Sequence, residues 1–375
     1  MMAEFLDDNC RDAFILPDET YLQSHSVGRP LKTAQQAFEQ AFWAPWQTSG
    51  KEPWGEWLTV IEAFRQALGK LYGTDADNFC PQVNLSSALT KVLMSHPRLS
   101  RGAVVLMSEQ DFPSMGFAMQ QALGDVDIRF IAAGLDITDP QVWAERLTPE
   151  VDLVFVSHVY SNTGECAPVL DVAQVAKERG IIMLVDVAQS AGILPLELDK
   201  LGADFVLGSC VKWLCGGPGA AWLWVNPARL DECQPKDVGW FSHENPFEFD
   251  IHQFRYHPGA LRFWGGTPSV APYAMAAHSI SYLTQLGVDN IRHHNQQLLD
   301  LLHQGLPGML VSPVAPDKRS GTAIINGRDN QALLLTLNSA GFSVDCRRYG
   351  LRISPHIYNT QADILRLIAV IQEAE

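Results

Sequence analysis

Six short apolar runs set the frame for this chain. AVVLM (103–107), IRFIAA (128–133), LVFVSHV (153–159), IIMLVDVA (181–188), FVLGSCV (205–211) and AAWLWV (220–225) succeed one another. Most lack the apolar–polar alternation of a strand with one wet face, so they read as strands buried on both faces. Helical segments at 113–123 and 169–179 separate some of them, and Gly180 follows the second. A glycine suits the left-handed residue past a helix end. Strands alternating with helices predict an α/β class, with a mostly parallel central sheet covered by helices over roughly 75–260.

The flanks differ. Leu31, Ala34, Phe38 and Phe42 fall at helical spacing, as do Leu58, Ile61, Phe64, Ala67 and Leu71. From Pro268 onward, helical segments precede a short strand near 321–326, another extended stretch over 343–354 and a terminal helix from about 361. The expected division is an N-terminal segment (1–45), a large domain (46–267) and a smaller α+β C-terminal domain (268–375). A length of 375 residues suits two such units.

Composition narrows the partners. A formal charge of −15 argues against nucleic acid or an anionic membrane. No stretch is long and apolar enough to span a bilayer. The start, MMAEFLDDNCRDAF, lacks a basic region followed by an apolar run, so no signal peptide is expected and the cytoplasm is the expected location. Seven cysteines, an odd number without a CxxC pair, support neither a disulfide framework nor structural zinc. No metal site is expected; the adjacent His293 and His294 lack partner spacing. GGPG (216–219) leads into an apolar run and lacks GK[ST], so it is not a P-loop.

Two residues carry chemistry. Lys212 ends the run FVLGSCV. Burial there lowers an amine's pKa and makes it nucleophilic, as Schiff-base lysines require; a snorkelling strand-end lysine is the plainer reading. Asp186 sits at the end of the preceding strand, IIMLVDVA. A carboxylate so placed needs a partner, and ligands of open α/β sheets bind beyond the strands' carboxyl ends. A turn or cap residue is its plainer reading. Together the pair matches what pyridoxal 5'-phosphate needs: an amine for its aldehyde and a carboxylate for its ring nitrogen.

LVDVAQSAGILPLELDKLGADFVLGSCVKWLCGGPGAAWLWV (184–225) resembles the cofactor-lysine region of the class V aminotransferase superfamily, whose members are fold-type I enzymes of pyridoxal 5'-phosphate. YLQSHSVGRP (21–30), EQDFPS (109–114), GWFSH (239–243), GGTP (265–268) and LRISPHIYNT (351–360) are most similar to the kynureninase family. The resemblance implies a homodimer with active sites at its interface and an amino-acid substrate. It implies that Ser86, Ser87 and Ser209 meet the phosphate, and that Phe112 stacks on the ring. It further places Gln189 near the phenolic oxygen, and Trp240 and Thr267 on the phosphate side, Thr267 from the neighbouring subunit. Arg352 would bind the substrate carboxylate. Without the resemblance, Ser86 and Ser87 read equally as a plain helix cap, Phe112 and Trp240 as core, and Arg352 as a surface cation. Trp240, Phe241 and Trp264 suggest an aromatic substrate, or else core packing.

Three positions depart from kynureninases: Val211 stands for a tyrosine, Gln189 for a histidine and Met115 for an acid. The expected reaction is kynureninase-like cleavage at the side chain. A C–S lyase on a sulfur-bearing amino acid, a transamination, and a non-catalytic protein of this fold are the alternatives. Arg347 and Arg352 are joined only by RYGL, too short for the mobile cysteine loop of a desulfurase, so no cysteine is expected to be the nucleophile.

Overall fold

The computed structural model describes residues 9–375. The reading of the start as leaderless drew on residues 1–14, of which 1–8 lie outside the described ones.

Seven strands build the main sheet: β1 (Phe79–Gln82), β2 (Val104–Ser108), β3 (Asp127–Ile131), β4 (Leu153–Ser157), β5 (Ile182–Asp186), β6 (Phe205–Ser209) and β7 (Ala221–Val225). Their spatial order is β1-β7-β6-β5-β4-β2-β3. Strands β2 to β6 run parallel, and β7 is antiparallel to both β6 and β1. Every residue of β4, β5 and β7 is buried, as their unalternating apolar runs require.

Two strands differ from expectation. β3 is an exposed edge rather than a doubly buried strand; it carries Asp127 and Arg129, ion-paired at 3.0 Å, and charge on an edge blocks further pairing. β1 was not anticipated. Its four residues, FCPQ, are few and include Pro81, which an edge strand tolerates because one side needs no ladder donor.

The helices Pro113–Leu123 and Val169–Glu178 fall where the spacing put them, and Gly180 is left-handed at φ 66°. Trp54–Tyr72 buries Ile61, Phe64 and Ala67 and packs against Ala271–Leu286. The helix begun at Ala34 does not stop at residue 42: it passes through a π-helical turn, Glu39–Trp43, and ends at Thr48.

A second core gathers Leu298, Leu302, Leu337, Ile364 and Leu367 around a three-stranded antiparallel sheet. In that sheet Gly350–Ile353 lies between Asp345–Arg347 and Ala323–Ile325. Leu22 joins this core from the N-terminal side, and Thr20–Tyr21 pairs in parallel with Phe342–Ser343. Among the described residues no helix is long and apolar enough to cross a membrane.

Because β2, β4, β5 and β6 are parallel, Ser108, Ser157, Asp186 and Ser209 all end at one edge of the sheet. β1 runs in the same sense, so the helix after it, Leu85–Leu93, starts at that edge too. This is the edge where open α/β sheets hold ligands.

Candidate active site

Asp186 ends β5, paired between Ser157 of β4 and Leu207 of β6. It is buried, and its Oδ1 accepts the Ala188 N–H at 2.7 Å. Burial pushes its carboxyl up from the usual range, against the pull of that N–H and of Lys212. Lys212 follows β6 by three residues. Burial brings its amine down to about 8, opposed by Asp186 and aided by the cations Arg352 and Arg347.

The turn around Lys212 is tied to the N-terminal segment. The Gly28 N–H donates to Val211 O at 2.8 Å. A Cβ on Gly28 would lie 2.1 Å from Lys212 O, so only glycine allows this approach. Gln189 Nε2 donates to His25 O at 3.0 Å, while Trp213 Nε1 donates to Gln189 Oε1. The YLQSHSVGRP segment therefore fastens both the turn after β5 and the turn that carries Lys212.

Ser86, Phe112, Asp186, Gln189, Ser209 and Lys212 line one cavity of about 230 Å³. Ser86 enters from the first turn of Leu85–Leu93, capped by Asn84 Oδ1, which accepts the Ser87 N–H at 2.8 Å. Ser87 itself faces an adjoining groove with Lys91 and Asp237. Phe112, at the cap of Pro113–Leu123, is 48% exposed at the cavity.

Five further expected residues lie elsewhere in this chain. Trp240 packs in an aromatic cluster, with ring centroids 5.6 Å from Trp54 and 4.4 Å from Phe241. Phe241 in turn meets Trp264 at 5.0 Å. These three rings do not line the cavity, so they give no support to an aromatic substrate; Trp240 and Phe241 pack on Trp54, and Trp264 on Phe241. Thr267 is exposed and away from the cavity. Arg352 sits behind the wall, only 2% exposed. Its Nη1 donates to the carbonyl of Ser161, a wall residue, at 3.3 Å.

The sequence reading missed Gln110, Ser157, Tyr160 and Ser161, all in the wall. The last three stand at or just past the end of β4, where the strand-end rule already directs attention. It also missed Asp111, whose Oδ2 accepts the Ser108 N–H at 2.7 Å. Burial raises that carboxyl to about 7, against its hydrogen bonds to Ser157 and Ser108 and with Asp186 adding to the rise. Met115, buried in the wall, puts a thioether where kynureninases carry an acid.

The donor set fits pyridoxal 5'-phosphate. A helix N-terminus with serine hydroxyls suits the phosphate, an aromatic ring and a buried carboxylate suit the pyridine, and a depressed amine suits the aldehyde. The wall atom Gln110 Oε1 is buried without a hydrogen-bond partner among the described residues, as expected of a wall made to meet a polar group.

The model of the family "Aminotransferase class-V" matches residues 55–367. The chain belongs to the class-V aminotransferase family. It is a pyridoxal-phosphate-dependent enzyme, as Lys212 and Asp186 led one to expect. It is 29% identical to a kynureninase of Deinococcus radiodurans, over 96% of this chain and 91% of that one. An uncharacterized aminotransferase of Bacillus subtilis, YcbU, is 27% identical over 84% of each. Among solved structures, the apo cysteine desulfurase of Thermococcus onnurineus superposes with a TM-score of 0.87 at 20% identity, covering 100% of this chain and 99% of that one. That likeness shows the fold, the fold-type I architecture of this class-V enzyme.

Proposed function

We propose that this class-V enzyme cleaves the side chain of an α-amino acid in the manner of a kynureninase. The observation that carries the reading is one cavity joining Lys212, Asp186 and Phe112, with Arg352 a single wall residue away. The extent of the similarity to kynureninases supports the choice of reaction.

In this reading Lys212 holds the cofactor, Asp186 pairs with its ring nitrogen, Phe112 covers the ring, and Gln189 approaches the phenolic oxygen. Ser86, Ser87 and Ser209 receive the phosphate. When bound, the cofactor supplies an electron sink at the substrate's α-carbon. The chain's own work is to hold the amino acid by its carboxylate, to orient its α-proton toward Lys212 Nζ, and to accept and return that proton. A depressed amine suits that exchange near neutral pH.

The division at residues 45 and 267 belongs to the same reading; two separate cores support two units, although Phe14 and Leu31 before the first boundary and Tyr273 and Ile280 after the second pack in the larger core. So does a cytoplasmic homodimer. None of the seven cysteines is in a disulfide, as suits a reducing compartment. Phe249 is 76% and Ile251 92% exposed, apolar surface that a second copy would cover. In the dimer, Thr267 would serve the partner's phosphate rather than its own.

A C–S lyase or a transaminase is the second reading, favoured by Gln189 in the place of the kynureninase histidine. A desulfurase-type cysteine has no support. Cys346 lies in a strand paired to Leu351, and burial, then Asp345, raises its thiol.

Supplying L-kynurenine and sulfur-bearing amino acids to the holoenzyme separates these readings. Alanine released from kynurenine is the expected product; release of sulfide alone, or a 2-oxo acid alone, would replace the first reading by the second. The anchor is tested by Arg352→Lys. A lysine ammonium cannot reproduce a bidentate fork, so the affinity for the amino acid is expected to fall at least about tenfold while cofactor content stays intact. Unchanged affinity in a spectral titration would refute the anchor.

Cofactor capture gives a pH test of Lys212. The neutral amine is the nucleophile, and a value near 8 frees it at lower pH than an ordinary lysine. The rate of pyridoxal phosphate uptake by cofactor-free protein is expected to rise from pH 7 and level off just above pH 8. A rate still climbing tenfold per unit at pH 9.5 would show an unperturbed lysine.

A further inference from the structure

Arg352 is not a bare guanidinium. Its Nε donates to Asp345 Oδ1 at 2.8 Å, and its Nη2 makes a second, charge-assisted bond to Asp345 Oδ2. The two residues stand directly opposite each other in antiparallel register, Asp345 on Asp345–Arg347 and Arg352 on Gly350–Ile353. A guanidinium has two edges that can grip a carboxylate in parallel, Nε/Nη2 and Nη1/Nη2. Asp345 occupies the first. The second includes Nη1, which reaches the wall at Ser161 through one long contact of 3.3 Å.

Asp345 is itself held. His25 Nε2 lies 3.2 Å from Asp345 Oδ1, and His25 Nδ1 lies 2.5 Å from Ser354 Oγ. Ser354 Oγ bonds Thr322 Oγ1 at 2.9 Å. Burial, above all, lowers the His25 imidazole to about 4, so it is neutral at pH 7 and donates one N–H to the carboxylate. The same residue's carbonyl takes the Gln189 amide. One network thus runs from the cavity-lining Gln189 through His25 to Asp345 and Arg352.

We infer that Asp345 is a positioning residue for substrate recognition: by filling the Nε/Nη2 edge of Arg352, it leaves the opposite edge to grip an amino acid's carboxylate. This rests on the reading of Arg352 as the carboxylate anchor. Were Asp345 absent, the long side chain would rotate among several rotamers, and the entropy of fixing it would fall on substrate binding. Asp345 also half-neutralises a site that already holds Arg352, Arg347 and Lys212 near one another. The anchor therefore selects by geometry as well as by charge.

The test compares two probes on the cofactor-loaded protein, L-phenylalanine and phenethylamine, which differ only in the α-carboxylate, by titration calorimetry. Asp345→Asn places an N–H against Nη2 and removes the charge. L-phenylalanine is expected to bind at least about tenfold more weakly, the loss of one charge-assisted contact, with phenethylamine unchanged. Asp345→Glu, which keeps the charge and moves it by one methylene, is expected to fall between; it carries the comparison if the Asn variant does not fold. In an Arg352→Lys background, Asp345→Asn should change L-phenylalanine affinity by no more than about twofold, because both act on one contact. Tighter or equal binding of L-phenylalanine to Asp345→Asn would overturn the inference and make Asp345 a competitor of the substrate. Equal weakening of both probes would reduce Asp345 to a structural role. If the wild type does not prefer L-phenylalanine, the anchor role of Arg352 falls first, and this inference with it.

Discussion

Lys212→Ala is expected to abolish covalent capture of the cofactor and to cost turnover at least about 10²–10⁴-fold, the range for losing a positioned acid–base group. The amine stands three residues past β6 in the cavity wall, and the carboxylate that acts on its charge is Asp186. Among the described residues no other lysine lines this cavity, so no neighbour can take over its position. Borohydride should fix pyridoxal phosphate on the peptide containing Lys212 in the wild type and leave the variant unlabelled. The fold should survive, because removing a partly desolvated amine relieves a cost rather than a bond. Label found on another lysine, or a variant that still turns over at the wild-type rate, would show that the chemistry lies elsewhere.

Asp186→Asn separates charge from shape. The asparagine Oδ1 can still accept the Ala188 N–H, so the turn after β5 should keep its geometry. What disappears is the negative charge that would face the ring nitrogen. A preorganised charge in a dry site contributes roughly 10²–10³-fold, and turnover is expected to fall by about that factor while cofactor is still bound. The cofactor-free variant should melt no lower than wild type, because the buried carboxylate's desolvation cost is gone. Near-normal turnover would remove Asp186 from the ring nitrogen. A large drop in melting temperature would mean that it supports the sheet rather than the reaction.

Much of the fold is legible in the sequence. Runs such as IIMLVDVA lie flat in the sheet because a strand with no polar alternation has no wet face to offer. The pair Asp186 and Lys212 was legible for the same reason: a charged residue at the end of an apolar strand is costly unless something meets it. β1 was not legible, since four residues with a proline carry almost no periodic signal. Tyr160 and Ser161 were legible only by their place past the end of β4. They lie in a loop, and a loop's composition does not say which way its side chains turn.

The sequence alone therefore determined the class of sheet, the edge where the cavity lies, and the residues that meet there from successive strands, because those follow from local pattern and chain order. The tertiary structure decided the rest. Cross-strand register put Asp345 against Arg352, and no spacing along the chain reveals such a pairing. Packing on the Trp54 helix drew Trp240 and Phe241 away from the cavity, although their composition suggested a substrate pocket. Gly28 lies more than 180 residues from Lys212 in sequence yet within van der Waals reach in space. Contacts of that kind depend on how whole elements close on one another, which local propensity does not encode.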